Sequence, residues 1–299
     1  MSKFLVGLDD GHGLLTSGKR TPILNQDIKF RGKTFKKGSY ISENEFNENL
    51  MELIEKALDR CGIGHTQLAP GDSDITLQNR VKTANNKKCD LVLSIHANAL
   101  TGAWQSKAYG LVVIHHINCQ SKTKTLANNC YKYLSKDVKW YSNGATKYGV
   151  RADQDISGYS LYILKNTNMP AVLIEYGFMD NFEDVKVMCS EKFQNECAEA
   201  TVRGICDTLG VKYVAPKETT TTKPSTSEKT LYVRVIYDGE LNIRDKADWK
   251  AKATGVVKKG EVFTVVDKVT AKNGNTPMYK LKSGKYITSS TKYVETFTK

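Results

Sequence analysis

Three side chains suited to metal or acid–base chemistry follow apolar segments in the first two-thirds of the chain. His12 comes after residues 4–8 within Asp-Asp-Gly-His-Gly, and His96 comes after residues 90–95. Glu175 directly follows four apolar residues. If these segments are parallel strands, their carboxyl ends bring the three side chains to one edge of a sheet. Burial at that edge would raise the pKa of Glu175, which suits proton transfer.

Two histidines and a carboxylate with an open fourth position form a common catalytic zinc site. Between the histidines, residues 42–50 read Ser-Glu-Asn-Glu-Phe-Asn-Glu-Asn-Leu and begin a helix. Glu43, Glu45 and Glu48 are all candidate ligands, and their spacing alone does not select one. Taken by itself, His12 fits a surface histidine in a glycine-rich loop equally well.

The region that carries these residues alternates apolar segments with helical patterns. Continuous apolar segments such as those before His96 and Glu175 favour strands buried on both faces, and helical patterns between them fit crossover connections. A last helix is expected near residues 191–209. We therefore predict a three-layer α/β/α domain with a mostly parallel sheet over residues 1–212.

A change of composition divides the chain. Residues 213–230 are rich in Thr, Ser, Pro and Lys without apolar periodicity, and we predict a flexible linker there. Residues 231–299 contain short β-rich segments separated by turn sequences, which predicts a small all-β barrel. This part carries 14 Lys and Arg against 7 Asp and Glu, more than half of the net charge of +12. An anionic docking partner is expected for it.

Composition also excludes several classes of protein. The chain of 299 residues is 40% hydrophobic and 25% charged, as in ordinary globular proteins, and it has no apolar run long enough to span a bilayer. Its N-terminus lacks signal-peptide features, which predicts synthesis in the cytoplasm. No nucleic-acid motif accompanies the basic charge, so nucleic acid is not an expected partner. A membrane is not an expected partner either. The seven cysteines lack CxxC spacing and are expected to be reduced.

Five motifs follow one another along residues 2–210: LDDGHG, SENEFNENL, RVKTAN, SIHANA and AVLIEYGFMDN. In this order they resemble the zinc-dependent N-acetylmuramoyl-L-alanine amidases of the Amidase_3 family. The resemblance implies one zinc ion as cofactor. It also implies hydrolysis of the amide bond between the lactyl group of N-acetylmuramic acid and L-alanine in peptidoglycan.

The resemblance assigns zinc ligands residue by residue. His12 and His96 match the two histidine ligands of the family. Glu43 matches the carboxylate ligand because Phe46 stands three residues after it, and Glu45 is the fallback for that role.

Glu175 matches the catalytic glutamate of the family, which takes a proton from the zinc-activated water and returns it to the leaving amine. Arg80 and Asn98 are carried over as substrate-binding residues. The expected result is lysis of a Gram-positive cell wall. Without a signal peptide, such an enzyme would act on the wall after release, as a phage endolysin or a bacterial autolysin does.

The C-terminal region resembles another class of domain. Residues 239–244, 255–265 and 286–288 match, in order, segments of bacterial SH3-like wall-binding domains. The resemblance implies non-covalent attachment to peptidoglycan, with Tyr237, Trp249 and Tyr286 as candidate wall-binding residues. For Tyr279, a place in the core of the barrel is favoured.

Two alternative functions stay open at this point. A zinc peptidoglycan peptidase or carboxypeptidase would use the same residue types on a peptide bond. A non-catalytic wall-binding protein is the second alternative, and the presence of all four key residues argues against it.

Two features receive no chemical role. Residues 14–40 form a long segment without an assignable motif, which either flanks the wall substrate or is a solvated loop, and we favour the solvated loop. His115 and His116 are adjacent in an apolar strand and point to opposite faces, so they are not expected to share a metal ion.

Overall fold

The computed structural model describes residues 2–141, 148–216, 231–274 and 276–298. The chain divides into two compact units, Met1–Lys217 and Glu218–Lys299. The strands of the first unit are β1 (Leu5–Asp9), β2 (Ile28–Phe30), β3 (Lys33–Phe35), β4 (Gly64–Gln67), β5 (Leu91–Asn98), β6 (Leu111–His115), β7 (Gly149–Ala152) and β8 (Ala171–Phe178). Its helices are α1 (Glu43–Arg60), α2 (Leu77–Asn86), α3 (Ser121–Asp137), α4 (Asp153–Ser157), α5 (Tyr162–Asn166), α6 (Phe182–Met188) and α7 (Glu191–Leu209).

Six strands form one sheet in the order β4-β1-β5-β8-β6-β7. Strands β4, β1, β5 and β8 are parallel, whereas β6 is antiparallel to β8 and parallel to β7. Successive residues face opposite sides, so that Leu93 and Ile174 enter one apolar core while Val92 and Leu173 enter the other. Burial on both faces explains the continuous apolar segments. The predicted mostly parallel sheet is confirmed.

Helices cover both faces of this sheet. On one face α7 contacts both α1 and α3, and on the other face α2 contacts α5. Helix α7 needs Gly204 at its contact with α3, because a Cβ atom there would lie 2.7 Å from the backbone of Cys130. The predicted three-layer α/β/α domain is confirmed. In the described part of the chain, no helix is both long and apolar enough to cross a membrane.

Helix α1 places its first turn beneath the sheet edge that carries the functional residues. Phe46, Leu50 and Ile54 recur at a spacing of four and are each at most 2% exposed, which fixes the buried face of the helix. Burial of one such side chain stabilises the fold by about 1.5–3 kcal/mol. The helix begins after Ser42, as predicted, and the Glu43 amide donates to the carbonyl of Lys19 at 2.9 Å.

The prediction of a solvated loop for residues 14–40 is wrong. Strands β2 and β3 pair in this segment as an antiparallel hairpin. Leu24 and Phe30 are 1% and 4% exposed, and the Phe30 ring lies 5.3 Å from that of Phe46 on α1. Polar residues dominate the sequence of the segment, so a few separated apolar residues that dock on α1 gave no periodic signal.

The second unit is entirely β in its described residues. Its strands are β9 (Leu231–Val235), β10 (Leu241–Ile243), β11 (Gly255–Val257), β12 (Val262–Val269), β13 (Met278–Leu281), β14 (Tyr286–Thr288) and β15 (Val294–Thr298). Five of them form an antiparallel sheet in the order β14-β13-β12-β9-β15, and β10 pairs with β11. Val233, Val265 and Ile287 lie in its core, and Tyr279 packs against that core as predicted. The all-β character is confirmed, and closure into an SH3-like barrel stays a prediction.

The end of the first unit is held by hydrogen bonds. Arg60 Nε donates to the carbonyl of Val214 at 2.8 Å, and the hydroxyl of Tyr213 donates to Glu199 at 2.6 Å. Both residues fall in the segment predicted as linker, whose residues 217–230 lie outside the described part of the chain. The linker and its boundaries stay a prediction.

The cysteines have structural surroundings. All seven are free thiols, and only Cys119 is more than marginally exposed. Burial raises the pKa of Cys130 to about 12, so its thiol is neutral at physiological pH. The six buried cysteines pack in the apolar cores of the first unit as small apolar side chains.

Candidate metal centre and active site

Three neighbouring parallel strands bring the predicted residues together. Asp9 at the end of β1 pairs with Ser94 of β5, and His96 of β5 pairs with Glu175 of β8. His12 follows β1 by three residues. His96 and Glu175 therefore lie inside their strands, near the carboxyl ends, instead of just beyond them as the sequence indicated. The register explains why side chains distant in sequence share one edge.

The loop that carries His12 has an unusual backbone held by helix α1. Gly11 and His12 have φ values of +45° and +60°, in the left-handed region. Asn47 Nδ2 donates to the carbonyl of Gly11 and Asn44 Nδ2 to that of His12, each at 3.4 Å. A left-handed non-glycine residue costs about 1–2 kcal/mol, which these contacts offset. Neither asparagine was identified from the sequence, although each lies within one turn of Glu43.

His12, Glu43 and His96 form one cluster. Each offers a ligand atom within 4.8 Å of the others. Glu43 Oε1 lies 2.9 Å from His96 Nδ1, and Glu43 Oε2 lies 3.6 Å from His12 Nε2. Glu45 lies outside this cluster and pairs with Lys33 at 3.4 Å. The two glutamates are two residues apart, a rotation of about 200° around the helix, so they face opposite directions.

Charge and burial oppose each other in this cluster. Burial lowers the pKa of His12 to about 4, so its imidazole is neutral at pH 7. Burial also lowers the pKa of His96, but the hydrogen bond with Glu43 and the negative charges of Glu43, Glu175 and Asp9 together outweigh it and raise that pKa to about 9. For Glu43 itself, burial raises the pKa, yet the two histidines hold it below its usual value. The cluster is therefore one carboxylate shared by two imidazoles.

The donor set fits a zinc ion. Ligand atoms about 2 Å from zinc lie roughly 3.4 Å apart in a tetrahedron, close to the 3.6 Å between Glu43 Oε2 and His12 Nε2. Glu43 Oε2 is buried and has no hydrogen-bond partner among the described residues. An unsatisfied buried carboxylate oxygen is costly, and a cation between the two histidines would satisfy it.

Glu175 lies beside this cluster without a partner of its own. Its Oε2 atom is buried and accepts no hydrogen bond from any described residue. Burial raises its pKa to about 7, with the carboxylate of Glu43 adding to the increase and His96 opposing it. The carboxyl group therefore exchanges a proton near neutral pH, as predicted from the four apolar residues before it.

Arg80 is a buried anchor. Its side chain is 2% exposed and forms ion pairs with Asp9 and Asp74, while its Nε donates to the carbonyl of Ile75 at 2.7 Å. Asp9 also accepts a hydrogen bond from Ser94. These contacts join the ends of β1 and β5 and favour a positioning role for Arg80. Its predicted substrate contact stays a prediction.

A cavity of about 820 Å³ opens above the cluster. Its wall includes His12, His96, Glu175 and Asn98, and the predicted substrate contact of Asn98 stays a prediction. The opposite wall is formed by residues 156–163, with Tyr159 and Tyr162 64% and 38% exposed. Lys19, from the segment predicted as a solvated loop, also lines the cavity. Neither wall element carried a sequence signal.

The pair His115-His116 makes contacts outside the cluster. His116 Nδ1 lies 2.9 Å from Asp153, which also accepts the amides of Ile117 and Leu161 at 3.0 Å each. His115 Nδ1 lies 3.4 Å from the sulfur of Cys119. Among the described residues, the metal-compatible cluster comprises His12, Glu43 and His96 alone.

A Gly11→Ala substitution is expected to displace the His96 ring. The new Cβ atom would lie 2.5 Å from His96 Cε1, so either the ring or the loop must move. We expect zinc affinity and amide hydrolysis to fall at least about tenfold, since even outer contacts of a metal site are worth that much. Both are measured on purified protein, by competition with a chelating dye and by product release.

Gly18→Ala is the matched control for this substitution. Gly18 also has a positive φ, +77°, but nothing lies within 4 Å of its added Cβ. Both variants share the backbone penalty of about 1 kcal/mol, and only the first meets the ring. Equal zinc affinity in the two variants would show that the ring position does not depend on this contact.

The aromatic residues predicted to bind the wall have the following surroundings. Tyr237 is 40% exposed and its ring lies 5.2 Å from that of Tyr293. The indole of Trp249 donates to the carbonyl of Thr276 at 2.8 Å, and the backbone of Tyr286 pairs with that of Arg244. All three are at least partly accessible. Their wall contact stays a prediction.

Comparison with known proteins agrees with the motif resemblance. The endolysin of Bacillus phage SPP1 is 35% identical over 302 aligned residues, covering 98% of each chain. The catalytic domain of CwlV, an N-acetylmuramoyl-L-alanine amidase from Bacillus (Paenibacillus) polymyxa var. colistinus, is 26% identical with a TM-score of 0.55, covering 70% of this chain and 99% of that domain. The amidase AmiC2 of Nostoc punctiforme is 25% identical with a TM-score of 0.53, covering 70% and 98%.

Two families match separate parts of the sequence. A domain family of unknown function matches residues 226–294. The family described as N-acetylmuramoyl-L-alanine amidase matches residues 6–207, which include the whole cluster and Glu175. The chain belongs to the N-acetylmuramoyl-L-alanine amidase family.

Proposed function

We propose that this chain hydrolyses the amide bond between N-acetylmuramic acid and L-alanine in the peptidoglycan of a Gram-positive wall, as a zinc-dependent lytic enzyme. The observation that carries the proposal is a His-Glu-His cluster beside an unpartnered buried glutamate, with both histidines and Glu175 lining one cavity. Membership of the amidase family indicates which bond is hydrolysed. The cluster and Glu175 offer the side chains that the hydrolysis needs.

His12, Glu43 and His96 would hold the ion. When bound there, zinc supplies a Lewis acid that polarises a carbonyl and acidifies water. The low pKa of His12 keeps that ligand free of a proton. Asn44 and Asn47 hold the His12 loop in place, and Glu43 orients His96 through their hydrogen bond.

Glu175 moves the protons of the reaction. As a carboxylate it accepts a proton from the attacking water, and as a carboxylic acid it returns that proton to the nitrogen of the leaving L-alanine. A pKa of about 7 permits both forms near neutrality. The water oxygen forms the new bond to the lactyl carbonyl carbon, the carbon–nitrogen bond breaks, and the products are a carboxylic acid and an amine.

The second unit would attach the enzyme to the wall. Its net charge of +7 suits an anionic polymer, and Tyr237, Trp249 and Tyr286 offer partly exposed aromatic surface. The relative from a Bacillus phage supports a lytic role on Gram-positive walls after release from the cell that makes the enzyme.

Product analysis tests the proposed reaction. Purified Gram-positive walls are incubated with the wild-type chain, with and without a zinc chelator, and new amino termini are labelled. We expect N-terminal L-alanine and falling turbidity, both lost with chelator and restored by added zinc.

Each other outcome selects a different function. New termini other than L-alanine would identify a peptidase or carboxypeptidase. Binding to walls without any new terminus would identify a non-catalytic wall-binding protein. Hydrolysis that persists after verified zinc removal would contradict the role of the metal.

A further inference from the structure

Lys19 is a cation on the wall of the catalytic cavity that no proposed step uses. Its ammonium group forms no hydrogen bond or ion pair within residues 2–141, 148–216, 231–274 and 276–298. Arg80 is another cation on this wall, but its guanidinium is 2% exposed and engaged by Asp9 and Asp74. Of these two cations, Lys19 is therefore the one that is available to bind a ligand.

The position of Lys19 is fixed by its backbone. Its carbonyl accepts the amide of Glu43, the first residue of α1, at 2.9 Å, and its own amide donates to Thr16 at 3.2 Å. The backbone of Lys19 is thus hydrogen-bonded directly to the helix turn that carries the candidate ligand Glu43. Because these bonds use backbone atoms, substitution of the side chain leaves them in place.

The charge of Lys19 acts on two members of the cluster and on Glu175. Burial has the largest effect on the pKa of His12, Glu43 and Glu175, and the ammonium group of Lys19 lowers all three values. Lys19 also borders a second groove of about 270 Å³ formed by residues 14–20 with Tyr40 and Ser42. Lys19 therefore lines both the catalytic cavity and this groove.

The substrate carries an anion within reach of such a group. In a stem peptide the residue after L-alanine is a γ-linked D-glutamyl residue, whose α-carboxyl group is either free or amidated. That group lies roughly 6 Å from the scissile nitrogen, since successive Cα atoms are about 3.8 Å apart. A partly buried ammonium group recognises a carboxylate better than a neutral amide.

We propose that Lys19 binds the free α-carboxylate of the second stem-peptide residue and makes the enzyme selective for stem peptides that are not amidated there. This inference rests on the proposed function, because it takes the scissile bond to be that of L-alanine. It assigns a specificity-determining role to the segment of residues 14–40.

The test compares two soluble muramoyl tripeptides, blocked at the C-terminus, that differ only in a free or amidated D-glutamyl α-carboxyl group. We expect the wild type to hydrolyse the acid with a kcat/KM about 10- to 100-fold above that for the amide, the range for a charged hydrogen bond. Lys19→Met is expected to lose this preference, because it slows hydrolysis of the acid more than hydrolysis of the amide. Lys19→Arg, which keeps the charge, is expected to retain part of it.

Lys37→Met is the matched control, because Lys37 is an exposed lysine of the same segment that does not line the cavity. It is expected to keep the wild-type preference. Equal hydrolysis of acid and amide by the wild type would overturn the proposal. So would an equal loss on both substrates in Lys19→Met, which would place the charge at the reacting atoms.

Binding separates this proposal from the proposed reaction. Dissociation constants of both tripeptides are measured by calorimetry for Glu175→Gln and for Glu175→Gln combined with Lys19→Met. A preference for the acid that requires Lys19 supports the carboxylate site even if no L-alanine is released by the wild type. If Glu175→Gln and the double variant bound the acid tripeptide with equal affinity, the carboxylate site would be overturned. The proposed reaction would not be affected by that result.

Discussion

Replacing Glu175 with glutamine is expected to lower kcat/KM for peptidoglycan by about 10²- to 10⁴-fold, the usual contribution of a positioned acid–base group. Glutamine has nearly the same size but can neither take the proton of the attacking water nor return it to the leaving amine. The cluster of His12, Glu43 and His96 does not include this residue, so zinc content is expected to stay at the wild-type value. Release of N-terminal L-alanine and metal analysis measure the two quantities.

The matched control is Glu191→Gln, which makes the same change at an exposed glutamate in the first turn of α7. Wild-type activity is expected for it. If Glu175→Gln kept more than a tenth of the wild-type kcat/KM with normal zinc content, Glu175 would not be the proton-transfer group.

Glu175→Gln is expected to stabilise the fold at high pH, although it lowers activity. The folded-state pKa of Glu175, about 7, exceeds the usual value of 4.5 because burial disfavours its charge. The contribution of Glu175 to the free energy of unfolding of the wild type is therefore fully present below pH 4.5 and is lost as the pH rises through 7. In zinc-free protein at pH 8, Glu175→Gln is expected to melt at a higher temperature than the wild type, with a gain of no more than about 3 kcal/mol.

The sheet and the main site residues could be predicted because their signal is local. Strands buried on both faces give continuous apolar segments, and a histidine between glycines at the end of such a segment marks a sharp turn. Parallel order then requires His12 and His96 to meet, and their strands β1 and β5 are neighbours in register. The antiparallel direction of β6 carried no such signal, because periodicity is the same in either direction.

The choice between Glu43 and Glu45 depended on which face of α1 is buried. Glu43 shares its face with Phe46 and Leu50, three and seven residues later, whereas Glu45 does not. The spacing of the glutamates alone does not show which of them faces the histidines, and the structure brings Glu43 to them. The sequence also did not show what supports the first turn of α1. That support is the carbonyl of Lys19, which comes from a segment without apolar periodicity.

The cavity walls could not be predicted for a related reason. Residues 156–163 and Lys19 reach the cavity only through long-range contacts. Asp153, for example, accepts hydrogen bonds from the amides of Leu161 and of Ile117, which lies two residues after β6. Such contacts depend on three-dimensional neighbours, so the meeting of His12 and His96 was predictable from the sequence while the walls of the cavity were not.

Replacing Glu43 with alanine is expected to weaken zinc binding by at least about 100-fold, since loss of a contact outside the ligand shell alone costs 10- to 100-fold. The remaining two histidines also lose their shared anion, so the pKa of His96 is expected to fall from about 9 toward or below its usual value. Activity is expected to disappear at limiting zinc. Zinc affinity is measured by competition with a chelating dye, and the His96 titration by NMR on zinc-free protein.

Glu45→Ala is the matched control, two residues along the same helix turn and paired with Lys33 instead of the histidines. We expect its zinc affinity to stay within about threefold of the wild type, because an exposed ion pair contributes little. Glu43→Gln serves as a second variant, since glutamine keeps the shape and one acceptor oxygen for the Ala97 amide. If Glu45→Ala lost zinc while Glu43→Ala and Glu43→Gln kept it, the metal would be held by the opposite face of the helix. The cluster would then be a carboxylate paired with two histidines instead of a metal centre.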